Sequence, residues 1–203
     1  MDKNLSNLFD GPKIIVLISD TNSGKSNTIY HILDSLKKSN DFSLYHYGLR
    51  AGLPFGQEIF STGELEVIQN SLIVLDEVMT MWDLDNRKQK QAIETSLRLI
   101  HHNNNILLLS MLPENVKKFI SGKANAFIFK KTTIPDMING SVGKRLIEGY
   151  SGPEKGSVIL NMPMDQALIY NGQHFSKAHI PYMKEFDTKI NNENIFKKKG
   201  GKK

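Results

Sequence analysis

The sequence contains no cysteine, which removes disulfides, thiolate metal sites and a thiol nucleophile from consideration. An intracellular setting fits that absence. No apolar run approaches the roughly 18–20 residues needed to span a bilayer. The opening segment, MDKNLSNLFDGPK, lacks the apolar stretch of a secretory signal. Arginine is scarce: Arg50, Arg87, Arg98 and Arg145 are scattered along the chain. A charged body is missing as well. Lys+Arg exceeds Asp+Glu by 26 − 21 = 5, yet the stretch Lys197–Lys203 alone holds five lysines and no acid. Without it the balance is 21 − 21 = 0. The excess charge therefore belongs to a Lys/Gly tail, and net charge selects no partner for the body.

What is present is 203 residues, enough for one domain with a sizeable core. We read 1–182 as that domain and 183–203 as a polar, Lys-rich, disordered tail. Lys13–Ile18 (KIIVLI), Ser71–Leu75 (SLIVL), Ile106–Leu109 (ILLL) and Ala126–Phe129 (AFIF) are short continuous apolar runs, the mark of strands buried on both faces. Phe42–Tyr47 is a less regular strand. Between them, Asn27–Lys38 places Ile29, Ile32, Leu33 and Leu36 at helical spacing, and Asn86–Ile100 does so with Ile93, Leu97 and Ile100. Pro113 and Glu114 open a shorter helix through Ile120, and Val142–Ile147 forms another. Ser157–Asn161 and Ala167–Tyr170 read as an antiparallel hairpin. Leu49–Gly63 is a long Gly-rich loop, of the length usually reserved for function. Buried strands alternating with helices specify an α/β fold: a mainly parallel twisted sheet flanked by helices, with a C-terminal antiparallel hairpin.

The specific signal lies at Ser19-Asp20-Thr21-Asn22-Ser23-Gly24-Lys25-Ser26, between the first strand and the first long helix. This is the P-loop pattern GxxxxGK[ST] with Ser19 in place of the first glycine. Gly24 lets successive backbone N–H groups turn inward to cradle phosphate oxygens. The helix beginning near Lys25 adds its positive end there. Lys25 would lie across the β- and γ-phosphates, and the Ser26 hydroxyl would reach Mg²⁺. Asn22, Ser23, Gly24, Lys25, Ser26 and Asn27 are thus the candidate ATP-binding residues. The strand Ser71–Leu75 ends in a second motif, Asp76-Glu77. Asp76 would hold Mg²⁺ and Glu77 would orient or deprotonate the attacking water. A second acid favours hydrolysis over transfer. The scattered arginines offer no lid of the sort small-molecule kinases close over phosphates, and no NKxD segment selects guanine.

The stretch IETSLRLIHHNNNILLLSMLPENVKKFISGKANAFIFKK, Ile93–Lys131, resembles the FtsK–HerA superfamily of P-loop NTPases. At this length the chain is similar to its minimal members, the ATPases that package double-stranded viral DNA. The resemblance covers roughly Lys13–Gly172. It implies Lys25, Ser26, Asp76 and Glu77 as phosphate, metal and water residues. The family's glutamine-type sensor is replaced by Ser110-Met111, leaving Ser110 as the candidate. Its Arg-His pair is replaced by His101-His102, leaving Arg98 as the candidate for a residue that completes a neighbouring subunit's site. The resemblance further implies a homo-oligomeric ring, pentamer or hexamer, that translocates double-stranded DNA, acts at a capsid or portal vertex and works in the host cytoplasm. Arg50, Lys117, Lys118 and Lys123 are the candidate backbone contacts. Phe55, Phe60 and Trp82 are loop aromatics or packing residues. A nucleotide-dependent assembly or secretion ATPase of a phage and a nucleotide kinase remain as alternatives.

Overall fold

The computed structural model describes residues 2–37, 42–49, 56–132 and 158–183. Among the described residues eight strands form one sheet: β1 Lys13–Ile18, β2 Ser43–Tyr47, β3 Gln57–Glu58, β4 Ser71–Leu75, β5 Ile106–Met111, β6 Ala126–Phe129, β7 Gln166–Tyr170 and β8 Phe175–His179. Their spatial order is β3-β2-β4-β5-β1-β6-β7-β8. The first six run parallel, and β7 and β8 are antiparallel. β1 therefore sits inside the sheet, between β5 and β6.

Alternation along the strands divides the core in two. Ile15, Leu17, Leu72, Val74, Leu108 and Ile128 face helix α2, Lys25–Lys37, through Ile29, Ile32, Leu33 and Leu36. Ile14, Val16, Ile18, Ile73, Leu75, Leu107 and Leu109 face helix α3, Arg87–His102, through Ile93, Leu97 and Ile100. Each such side chain contributes about 1.5–3 kcal/mol by leaving water, and a sheet covered on both faces needs apolar residues at every position. That is why Leu72–Leu75 of β4 and Ile106–Leu109 of β5 read as unbroken apolar runs. The polar start of α3 is set by Asn86, whose side chain accepts from the N–H groups of Lys88 and Gln89.

Some elements differ from the sequence expectation. Residues 158–160 are helical rather than extended, and the hairpin instead joins β7 to β8. Its four-residue loop runs from Asn171 to His174, with Gly172 at φ +94° and the Asn171 side chain accepting from the N–H groups of Gln173 and His174. Four-residue loops are among the common hairpin connections. The apolar run Val158-Ile159-Leu160 is too short for periodicity to separate helix from strand. The helix expected from Pro113 is split into a 3-10 turn, Pro113–Asn115, and a single turn, α4, Lys118–Ser121. Val116 and Lys117 between them are extended, and Val116 is buried. The Leu49–Gly63 loop contains β3 and leads into a 3-10 turn, Thr62–Glu66, closed by a Ser61/Glu64 capping box. An unforeseen N-terminal helix, α1 Lys3–Ser6, and the 3-10 turn after it, Asn7–Phe9, deliver Leu5, Leu8 and Phe9 to the α2 side of the core. The expected helix Val142–Ile147, Arg50, Phe55 and the tail beyond Met183 lie outside the described residues.

Candidate active site

Parallel strands present all their carboxyl ends at one edge, so the segments that follow β1, β4, β5 and β6 meet there. Leu17 pairs with Ser110 and Leu75 with Leu109. The Ser19–Ser26 loop, the Asp76-Glu77 pair and Ser110 are therefore neighbours, although Asp76 and Ser110 are 34 residues apart and the loop is farther still from both in sequence.

Within the loop, Ser19 is fully buried, and its backbone is not among the positive-φ residues. The position does not need glycine's conformational freedom, which explains why serine stands there. Left-handed backbone falls instead on Asn22, at φ +60°, and Gly24, at φ +83°. Asparagine tolerates this region better than most side chains, and glycine enters it freely. The Ser23 hydroxyl donates to the Asp20 carbonyl over 2.7 Å and so ties the loop to itself. Lys25 is the first residue of α2 and is only 8 % exposed. Ser26 is exposed at the rim. The Asn27 side chain turns away: its amide donates to the Pro181 carbonyl at 3.1 Å and its oxygen accepts from the Met183 N–H at 2.7 Å.

Opposite the loop, Asp76 is buried and Oδ1 accepts from the Ser110 hydroxyl at 2.6 Å and the Glu77 N–H at 3.0 Å. Burial pushes the Asp76 carboxyl above its usual range; the Ser110 hydrogen bond and the Lys25 charge act against that rise. Glu77 adopts φ +49°, a left-handed conformation that is strained for a residue with a side chain. Its Oε1 lies 4.0 Å from Lys25 Nζ, with Glu77 half exposed. Strain of this kind is concentrated at functional sites, where the surroundings over-determine the backbone. Gly48 enforces the approach of β2: at φ +76°, a Cβ here would sit 2.5 Å from the Asp76 carbonyl. The Asp76 N–H donates to the Tyr47 carbonyl at 2.9 Å.

A further residue, Lys130, follows directly after β6. It is fully buried, its Nζ donates to the carbonyls of Met164 and Gln166, and it lies 3.8 Å from where a Gly24 Cβ would stand. Burial lowers its ammonium to about 8, with Asp165 acting in the opposite sense. Sequence reading passed over it. The available signal was its position, one residue past an apolar strand, like Ser19 after β1 and Asp76 after β4.

Lys25, Asp76, Glu77 and Ser110 thus converge. Arg98 does not join them within one chain: it is exposed, in the last turn and a half of α3. That end leads through Asn105, which bonds to Lys13, Ile68 and Ser71 at the opposite, amino-terminal edge of the sheet. His101 and His102 are exposed there too. Lys117 and Lys118 are exposed and Lys123 is half-buried. Lys117 lines a cleft of about 550 Å³ with Met79, Asp83, Asp85 and Gln89. Trp82 is a packing residue, 1 % exposed, while Phe60 is 72 % exposed.

The donor set suits magnesium. A hydroxyl and a carboxylate, the groups Ser26 and Asp76 carry, are hard oxygen donors of the kind Mg²⁺ takes when substrate phosphates complete its shell. No group of three His, Cys, Asp or Glu able to hold a metal by itself occurs among the described residues. No helix among them is long and apolar enough to cross a membrane.

These features define the class: the fold is that of a P-loop NTPase, a mainly parallel sheet with antiparallel C-terminal strands. No family model matches the chain, and no curated protein does. Solved structures do. The genome packaging NTPase B204 from Sulfolobus turreted icosahedral virus 2, in complex with sulfate, matches with a TM-score of 0.64 at 19% identity, over 85% of this chain and 98% of that one. Its complex with AMPPCP gives 0.61 at 19% identity, over 85% and 99%. The N-terminal domain of zonular occludens toxin from Neisseria meningitidis gives 0.52 at 9% identity, over 87% and 97%. At such identities the likeness is one of fold, and on that level the resemblance to viral packaging ATPases holds.

Proposed function

We propose that the chain is an ATPase that couples hydrolysis to the movement of double-stranded DNA, packaging a viral genome as a homo-oligomeric ring. The observation that carries the catalytic half is the meeting of the Lys25 loop with Asp76 and Glu77 at one edge of the sheet. The loop's N–H groups and the start of α2 hold the phosphates, and Lys25 offsets the charge on the β- and γ-groups. Ser26 and Asp76 would hold Mg²⁺, which when bound would neutralise phosphate charge. Glu77 accepts a proton from the water whose oxygen attacks the γ-phosphorus. The bond from that phosphorus to the bridging oxygen breaks, leaving ADP and phosphate. Ser110 fixes the Asp76 carboxylate through its hydroxyl, a positioning part rather than direct contact with phosphate. Arg98, far from its own chain's site, is the candidate to enter a neighbour's. Support for the DNA half comes from the likeness in fold to B204, described as a DNA-packaging ATPase. Lys117, Lys118, Lys123 and Arg50 are the candidate backbone contacts.

The test is an ATPase assay with and without duplex DNA, beside light scattering. The packaging reading expects turnover stimulated by duplex DNA in an assembly larger than a monomer. It also expects Lys25→Ala and Glu77→Gln to abolish turnover, with Glu77→Gln still binding ATP. Turnover that ignores DNA overturns the DNA half, a need for a small phosphate acceptor points to a kinase, and full activity in Glu77→Gln removes the assigned base.

A further inference from the structure

Two lysines stand at the phosphate loop, and their charges are met differently. Lys25 has a carboxylate in reach, with Nζ 4.0 Å from Glu77. Lys130 is the first residue past β6. Its N–H donates to the Ile18 carbonyl at 3.0 Å, and the Lys131 carbonyl accepts from the Asp20 N–H. The backbone is thereby tied to the end of β1 and the start of the loop. The side chain runs to Gly24, with Cε 3.7 Å and Nζ 3.8 Å from where a Cβ of that residue would stand. No part of Lys130 is exposed. Nζ donates to two neutral acceptors, the carbonyls of Met164 and Gln166. An ammonium carries three donors. Among the described residues neither a third acceptor nor a carboxylate at ion-pair distance meets it.

Lysine is almost never fully buried without a partner, because its charge loses hydration. Two carbonyl dipoles offset part of that loss, and burial still lowers the ammonium to about 8. The counter-charge that Lys130 lacks is what a triphosphate in the loop brings. We propose that Lys130 is a second cation of the phosphate site, favouring from within the fold the anion that the loop's N–H groups hold. This rests on the ATP-binding reading of the loop given above. Lys130 is a positioning residue, since its effect reaches the phosphates through the loop. Away from bulk water the effective dielectric is low, so such a charge acts over several ångströms. The charged groups on the elements packed against it are Asp165 on the segment it holds, itself 3.6 Å from His179, and Asp20 and Lys25 on the loop, with Lys131 beside it in the chain. A bound triphosphate brings more negative charge than any of these. It raises the proton affinity of Lys130, so binding takes up a proton at pH values just above 8.

The experiment is calorimetry of the full chain with AMPPCP and with inorganic tripolyphosphate, both with Mg²⁺, in buffers of different ionisation enthalpy at about pH 7 and about pH 8.5. Wild type binds both ligands, and at the higher pH binding takes up a fraction of a proton. Lys130→Gln keeps an amide donor for the carbonyls and removes the charge. It weakens both ligands about tenfold at the lower pH, the order expected for one lost charge at this range, and it abolishes the uptake. Lys130→Met, closer in length, does the same, and urea midpoints show that each variant is folded. A purely structural clamp would be restored in part by glutamine and would move no proton. Absence of uptake in the wild type overturns the proposal, as does uptake or full affinity retained by Lys130→Gln. A wild type that binds neither ligand is a different result, because it removes the phosphate site itself and this cation with it.

Discussion

The Ser110 hydroxyl donates to Oδ1 of Asp76 across 2.6 Å, from the end of β5 to the residue just past β4. Both groups are buried, so the bond fixes the orientation of a carboxylate that water cannot reorganise. Ser110→Ala leaves that oxygen with the Glu77 N–H as its donor. A hydrogen bond to a charged group contributes about 1.5–3 kcal/mol, so turnover should fall about tenfold or more while ATP affinity moves little. Ser110→Thr retains the hydroxyl and should retain most activity. Steady-state kinetics on the two variants measures this, and equal rates for Ser110→Ala and wild type would exclude the positioning role.

Gly48 is held at φ +76° with the Asp76 carbonyl 2.5 Å from where a Cβ would go. Gly48→Ala meets both a left-handed backbone penalty and a collision with main chain that has no flexible end to yield. We expect a loss of at least about 2 kcal/mol in unfolding free energy, read from urea midpoints. The variant should also lose activity, because relief of the collision moves Asp76. Unchanged stability would mean that β2 does not approach as closely as described.

Lys130 gives the fold a pH signature. Its folded value is lowered to about 8 from 10.5, chiefly by burial. Between those values the unfolded chain holds a proton that the folded chain has released, so stability rises with pH across that window. Below about 8 both states are protonated and the contribution is constant. Lys130→Met removes the effect and also leaves the Met164 and Gln166 carbonyls without their donor. The stability difference between wild type and Lys130→Met should therefore widen from pH 7.5 to pH 10, as urea titrations would show. A difference that stays flat would mean that the ammonium is not desolvated.

Arg98 lies at the edge of the sheet opposite its own chain's loop, so any catalytic part for it is in a second subunit. Arg98→Ala alone should turn over ATP at least about a hundredfold more slowly if it acts as a trans arginine. Mixed with Lys25→Ala protein, it should regain activity through interfaces that pair one intact loop with one intact arginine. The ATPase rate as a function of mixing ratio tests this. Full activity of Arg98→Ala by itself removes the arginine from the site.

Local pattern was enough for the inner strands β1, β4, β5 and β6 and for the loop. Unbroken apolar runs such as LIVL are forced wherever a strand is covered on both faces, and Gly24-Lys25-Ser26 after one of them carries its own local geometry. Where local pattern is ambiguous or non-local contacts decide, reading stopped short. Val158–Leu160 is too short to show a period, and the hairpin is set by the loop from Asn171 to His174 instead. Asn27 looked like a loop residue for phosphate, yet its side chain is taken up by Pro181 and Met183, more than 150 residues away. Tertiary structure alone placed Ser110 on Asp76, Lys130 beneath Gly24 and Arg98 at the far edge. These relations follow from strand order, β4-β5-β1-β6, and strand order is settled by packing among segments distant in the chain. Each strand's own residues dictate which faces it buries and leave its neighbours to be chosen by the rest of the molecule.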